Sequence, residues 1–172
     1  MINAYFAYGS NMDPERVRQR GLAFTRALAA ALPGHALVFD KRAARVTGAG
    51  HANIRYCPGA TVHGVLYVLE HPDMIQRMDP YEQAPINYGR EVFHLATATA
   101  TALAESGESG EPASSAPREW MPAWVYVGNP GVLQEGLRPE PEYMAHLLLG
   151  APYLPADYLA ALRSIECLPP TP

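Results

Sequence analysis

At 172 residues, 48% of them hydrophobic and 17% charged, the chain can bury a core of its own and has the composition of an ordinary globular protein. A net charge of −4 gives no electrostatic footprint for nucleic acid or an anionic membrane, and no apolar run approaches bilayer length. No basic-then-apolar leader precedes Tyr5, and Cys57 and Cys167 have neither metal nor redox spacing, so the expectation is a reduced, cytoplasmic chain of one domain over 1–172.

In chain order, residues 2–7 form an apolar, aromatic run with strand propensity that ends abruptly in Gly9-Ser10-Asn11. A helix then opens: Asp13 suits the N-cap, Pro14 the first helical position, and Glu15 complements the dipole. It should run to about Arg20, with Gly21 behind it. Such a strand-to-helix junction turns several backbone N–H groups into one small volume, and Gly9, lacking a Cβ, would let a ligand approach the main chain. A carboxylate or a developing oxyanion is the natural guest; a plain turn feeding a surface helix is the alternative.

Residues 22–32 are Ala-rich and read as a strand before a Pro33-Gly34 turn, with a second strand over 35–39 and a loop over 40–50. A short strand over 52–56 is closed by Cys57-Pro58-Gly59, and 62–69 is the clearest strand of all. Residues 70–79 read as a helix with Met74, Ile75 and Met78 as its apolar stripe, broken at Asp79-Pro80. A Pro-bounded connection, 81–85, leads into a strand over 88–98. Seventeen prolines crowd towards the C-terminal third, which favours extended connections. Ala, Ser, Gly, Glu and Pro dominate 100–118, a mobile hairpin loop by composition, after which 120–127 should return antiparallel to 88–98. Helices over 142–149 and 154–165 end the chain. The fold class is α+β, with five to seven mostly antiparallel strands and three or four short helices.

Six histidines lack any tight ligand spacing, so ordinary strand and surface histidines are favoured over a metal site. Ser10 lies in Tyr-Gly-Ser-Asn, not in a nucleophile elbow, and no phosphate-cradling motif occurs. Glu82 is a candidate acid or base, since Pro80 and Pro85 bound its segment and Tyr81 and Tyr88 flank it; a solvated loop carboxylate is the alternative. Tyr88, Tyr126 and Tyr143 each stand at an element end, where a phenol can bury its ring and offer its hydroxyl.

Together these segments resemble the gamma-glutamylcyclotransferase family, which includes the plant AIG2-like proteins. Tyr5-Phe6-Ala7-Tyr8-Gly9-Ser10-Asn11-Met12 is similar to its N-terminal signature, and Pro33-Gly34-His35 and Gly50-His51-Ala52-Asn53-Ile54 to its next blocks. Val62-His63-Gly64-Val65-Leu66-Tyr67 resembles the strand before its catalytic helix, and Met78-Asp79-Pro80-Tyr81-Glu82 its Leu-Asp-x-x-Glu. Pro139 to Tyr143, and Leu154 to Tyr158, resemble the C-terminal blocks, with particular likeness to the glutathione-linked cyclotransferases of animals. One departure stands beside the acid: Gln83 where the family usually has glycine.

The resemblance implies a small, mostly antiparallel β-barrel flanked by short helices. It implies cofactor-independent, metal-free cyclisation of a small-molecule γ-glutamyl substrate to 5-oxoproline, releasing an amino acid or an amine. Glu82 is then the general acid/base; the backbone of Tyr8, Gly9, Ser10 and Asn11 holds a carboxylate or the oxyanion; Tyr88, Tyr126 and Tyr143 hold the glutamyl group. The attacking α-amine titrates near ~8 and a carboxyl near ~4.3, so unaided proton transfer costs about 5 kcal/mol. A partly desolvated cleft walled by tyrosines would close that gap. A non-catalytic module that binds or senses a γ-glutamyl ligand is the alternative, and oligomeric state is not legible.

Overall fold

The computed structural model describes residues 1–98 and 118–169. Five strands, β1 (Ala4–Ala7), β2 (Phe24–Arg42), β3 (Gly50–Leu69), β4 (Tyr88–Ala98) and β5 (Arg118–Gly128), close into a barrel in the order β1-β3-β2-β4-β5. Neighbours are antiparallel except at the seam, where β1 meets β5 in parallel at Tyr5 and Trp124. Among the described residues four short helices flank it: α1 (Pro14–Gln19), α2 (Asp79–Glu82), α3 (Pro141–Leu148) and α4 (Ala156–Arg163). Among the described residues no helix is long and apolar enough to cross a membrane.

The period-two alternation of β1 explains how the layers form. Ala4, Phe6 and the following Tyr8 join Leu32, Ile54, Val62, Leu66, Leu95 and Val125 in a cluster drawn from all five strands. Tyr5 and Ala7 face the other way, with Met12, Val17, Ile75, Met78, Met144, Leu147 and Leu162 from the helical side. The four residues of β1 are all buried, so this short strand is a wall shared by two apolar layers. Gly64 lets that wall close: a Cβ there would lie 2.2 Å from the Ala7 carbonyl oxygen and 2.9 Å from the Phe6 ring.

Several expected breaks are absent. Pro33-Gly34 does not end a strand; β2 runs through it, with a register shift between Pro33 and His35 and Gly34 at φ +74°. Opposite it, the expected strands over 52–56 and 62–69 are one strand, β3, which passes through Cys57-Pro58-Gly59. Pairing along two long strands satisfies the backbone locally, so turn-forming dipeptides become bulges. The helix expected over 70–79 is a 3-10 segment, Pro72–Arg77, and the Asp79-Pro80 pair starts α2 instead of ending a helix. Proline tolerates the first turn, where its missing N–H has no partner to lose.

Other expectations match. The 88–98 strand has the expected bounds and pairs antiparallel with β5 from Tyr88 opposite Gly128 onward. The helices expected over 142–149 and 154–165 are α3 and, in a shorter form, α4. The loop expected over 100–118 lies outside the described residues except at Arg118, the first residue of β5.

Candidate active site

The loop after β1 is a single 3-10 turn, Ser10–Met12, closed by the Met12 N–H on the Gly9 carbonyl at 3.0 Å. The Asp13 carboxylate then caps α1, accepting the Glu15 N–H at 2.9 Å, as the sequence requires. Gly9 has φ −119°, so it is not there for a left-handed turn. It makes room: a Cβ would sit 3.0 Å from the Tyr143 hydroxyl and 3.2 Å from the Ala52 Cβ. Tyr143 thus packs close to the bare face of Gly9, beside the cavity that Gly9 also lines.

Glu82 is the last residue of α2, not part of an extended connection. The helix stops because Gln83 adopts the left-handed conformation, φ 51° and ψ 42°, at the position where the resembled pattern has glycine. Glu82 is half-buried, and its Oε1 accepts from Asn11 Nδ2 at 2.6 Å across 71 residues of chain. The second Nδ2 hydrogen goes to the Tyr5 hydroxyl at 3.0 Å, and the Asn11 Oδ1 accepts from Arg20 Nη1 at 2.6 Å. A guanidinium can only donate, so Arg20 holds the amide oxygen on its own side and turns the NH2 to Glu82. The Tyr67 hydroxyl fixes the Asn11 carbonyl at 2.8 Å. Burial raises the Glu82 pKa above the usual carboxylate range, while Arg20, the Asn11 hydrogen bond, Lys41 and Arg16 pull it back.

The tyrosines enclose this carboxyl, but most of their hydroxyls are engaged by the protein. Tyr8 donates to the Tyr126 carbonyl at 2.5 Å, and Tyr88 to the Ala52 carbonyl at 2.9 Å. Tyr126 donates to Asp79 Oδ1 at 2.7 Å and lies 3.2 Å from the Ile75 carbonyl, so its polar end steadies the start of α2 while its ring walls the cavity. Arg90 Nε reaches the same Asp79 oxygen at 3.2 Å. Tyr143 differs: its hydroxyl accepts the Ala52 N–H at 3.0 Å, and among the described residues none accepts its proton. Its ring stacks on His51, centroids 4.6 Å apart. Burial pushes the pKa values of Tyr5, Tyr8, Tyr88, Tyr126 and Tyr143 up, so all are neutral phenols near pH 7.

All eight residues singled out from the sequence, Tyr8, Gly9, Ser10, Asn11, Glu82, Tyr88, Tyr126 and Tyr143, line one cavity of about 40 Å³. A second cavity of about 230 Å³ adjoins it, sharing Ser10, Glu82, Tyr88 and Tyr143 and adding Arg16, Arg20, Lys41 and His51. Sequence reasoning missed Tyr5 and Tyr67, which orient Asn11, and these cations. Arg16 and Arg20 could have been found: they lie four apart just behind the Asp13 cap, a helical spacing that puts both on one side. Lys41 carries no such signal, because it lies in a segment that reads as loop and is buried by barrel closure. Among the described residues no three His, Cys, Asp or Glu side chains cluster as metal ligands would.

The chain is similar in sequence to one protein family and in fold to several solved structures. Residues 5–145 match the family model described as gamma-glutamyl cyclotransferase, AIG2-like. A solved gamma-glutamyl cyclotransferase aligns at 24% identity and TM-score 0.71, over 98% of this chain and 90% of that one. The human uncharacterized protein LOC79017 aligns at 25% identity and TM-score 0.71 with the same coverage. A yeast gamma-glutamyl cyclotransferase described as specific to glutathione shares the fold at 16% identity and TM-score 0.62, over 92% of this chain and 93% of that one. No curated protein sequence matches. A family match that spans the first loop, the barrel, Glu82 and Tyr143 makes this chain a member of the gamma-glutamyl cyclotransferase, AIG2-like family.

Proposed function

We propose that the protein is a cofactor-independent gamma-glutamyl cyclotransferase with Glu82 as its general acid/base. The α-amine of a γ-glutamyl group attacks its own γ-carbonyl; the new C–N bond closes 5-oxoproline, and the bond to the leaving nitrogen breaks. Glu82 takes the ammonium proton before attack and gives it to the leaving nitrogen as that bond breaks. It then takes the second proton that the attacking nitrogen sheds to become the lactam N–H, and the freed amine recovers that proton as an ammonium, so protons and charge balance. The observation that carries this reading is the Glu82 carboxylate turned inward onto Asn11 of the first loop, 2.6 Å from its amide nitrogen, in a cavity walled by neutral phenols.

The shift of the Glu82 pKa has the direction the chemistry needs. It narrows the ~5 kcal/mol mismatch between a free carboxylate and an α-ammonium, so proton transfer becomes less uphill. Tyr143, with a proton to give, and the first-loop N–H groups other than that of Met12, which closes the turn on Gly9, are the donors closest in kind to an oxyanion site. Tyr8, Tyr88 and Tyr126 shape the walls that keep the glutamyl chain folded on itself, and for a ring closure such orientation is a large share of the rate.

The test is direct. Incubation with a panel of γ-glutamyl amino acids and amines should release 5-oxoproline, read by mass spectrometry. Glu82→Gln keeps the shape and the Asn11 contact but cannot cycle a proton, so turnover should fall by about a hundredfold or more. Wild-type turnover in that variant would remove Glu82 from the mechanism.

A further inference from the structure

The larger cavity is positively charged in a chain whose net charge is −4. Arg16, Arg20 and Lys41 line it, and among the described residues Glu82 is its only carboxylate. Among the described residues none of the three cations has an ion-pair partner. Lys41 is 6% exposed, its ammonium 5.6 Å from the centroid of the Tyr88 ring. Arg16 reaches only His146, Nη1 to Nε2 at 3.4 Å, and its Nε is buried without an acceptor. Arg20 is braced by Asn11 and by the Tyr81 ring, 4.6 Å from its guanidinium.

Lys41 is buried and Arg16 and Arg20 are half-buried, so cations without an ion pair are costly here, and a donor left unpaired adds to that cost. Glu82, already engaged by Asn11, cannot neutralise three of them. A bound γ-glutamyl group brings an α-ammonium as well as an α-carboxylate and so adds no net charge, which leaves Arg16, Arg20 and Lys41 in excess over Glu82 and favours one more carboxylate in the cavity. The cavity lies against Glu82, where the leaving nitrogen must be to recover its proton.

We propose that the larger cavity holds the leaving group, and that this group is an amino acid whose own carboxylate is received by Arg16 and Lys41, so that plain alkylamines are poor leaving groups here. The inference rests on the cyclotransferase reading above. The carboxylate is unchanged by the reaction; it anchors the scissile amide against Glu82.

γ-Glutamyl-alanine and γ-glutamyl-ethylamide differ by that one carboxylate, and their kcat/KM ratio reads the site. The ratio should be about tenfold to a hundredfold in favour of γ-glutamyl-alanine, the worth of a charge-assisted hydrogen bond or two. Lys41→Met and Arg16→Gln should each shrink the ratio, with thermal melts confirming the fold. Cations that only tune Glu82 would slow both compounds alike and leave the ratio where it was. A ratio near one, or one that neither substitution moves, overturns the carboxylate site and spares the cyclotransferase reading. Release of 5-oxoproline from neither compound overturns both.

Discussion

Two opposed influences act on the Glu82 carboxyl. Burial favours its neutral form; Arg20, Asn11, Lys41 and Arg16 favour the charged one, and burial is the larger. Because folding raises its pKa, the folded chain binds more protons than the unfolded chain between ~4.3 and the raised value. Stability contributed by this group is thus complete in acid and falls as pH rises through that window. His51 acts in the opposite sense: burial, then Lys41, lowers its pKa to about 4, so it destabilises the fold as pH drops below ~6.5. Comparing wild type with Glu82→Gln cancels the histidine. The variant should melt at or above wild type at about pH 7, with the gap closing towards about pH 4. A variant less stable than wild type at neutral pH would show that the carboxylate is stabilising, against the direction argued here.

The position of that carboxyl depends on a helix of one turn. α2 is too short to persist alone, and it is held from outside by Tyr126 and Arg90 on Asp79 at its start. At its end Gln83 takes a left-handed backbone, and its side-chain oxygen accepts from Asn87. A β-branched residue tolerates that conformation poorly, so Gln83→Val should cost about 1–2 kcal/mol. Urea midpoints measure it, and an unchanged midpoint would mean that the left-handed turn carries no strain. The element was only half legible in the sequence. Asp79-Pro80 reads as a break because proline ends many helices, yet proline also begins them, and neighbouring side chains decide between the two.

Barrel closure brings the first loop, α2 and α3 to one place, and it depends on close approach between β1 and β3. Gly64→Ala would put a methyl 2.2 Å from the Ala7 carbonyl oxygen, too near for any rotamer to relieve. The expected loss is about 1–3 kcal/mol or more, since the backbone of a buried strand must shift. Gly131→Ala, with nothing within 4 Å of its Cβ position, is the matched control and should stay within about 0.5 kcal/mol. Equal melting temperatures for the two variants would contradict the packing described for the β1 wall.

Local chemistry wrote much of this protein into its sequence. The Asp13-Pro14-Glu15 start of α1, the apolar run of β1, the 88–98 strand and the Pro141-to-Gly150 helix all follow from neighbours a few residues apart. Glu82 and the first loop could be named as partners only through likeness to known sequences, since 71 residues separate Asn11 from Glu82. Folding settled the rest: the fusion of expected short strands into β2 and β3, the Tyr143 hydroxyl packed close to Gly9, and Lys41 buried beside Arg16 and Arg20. Propensity acts over one turn or one strand, whereas burial and charge balance act between segments that meet only when the barrel closes.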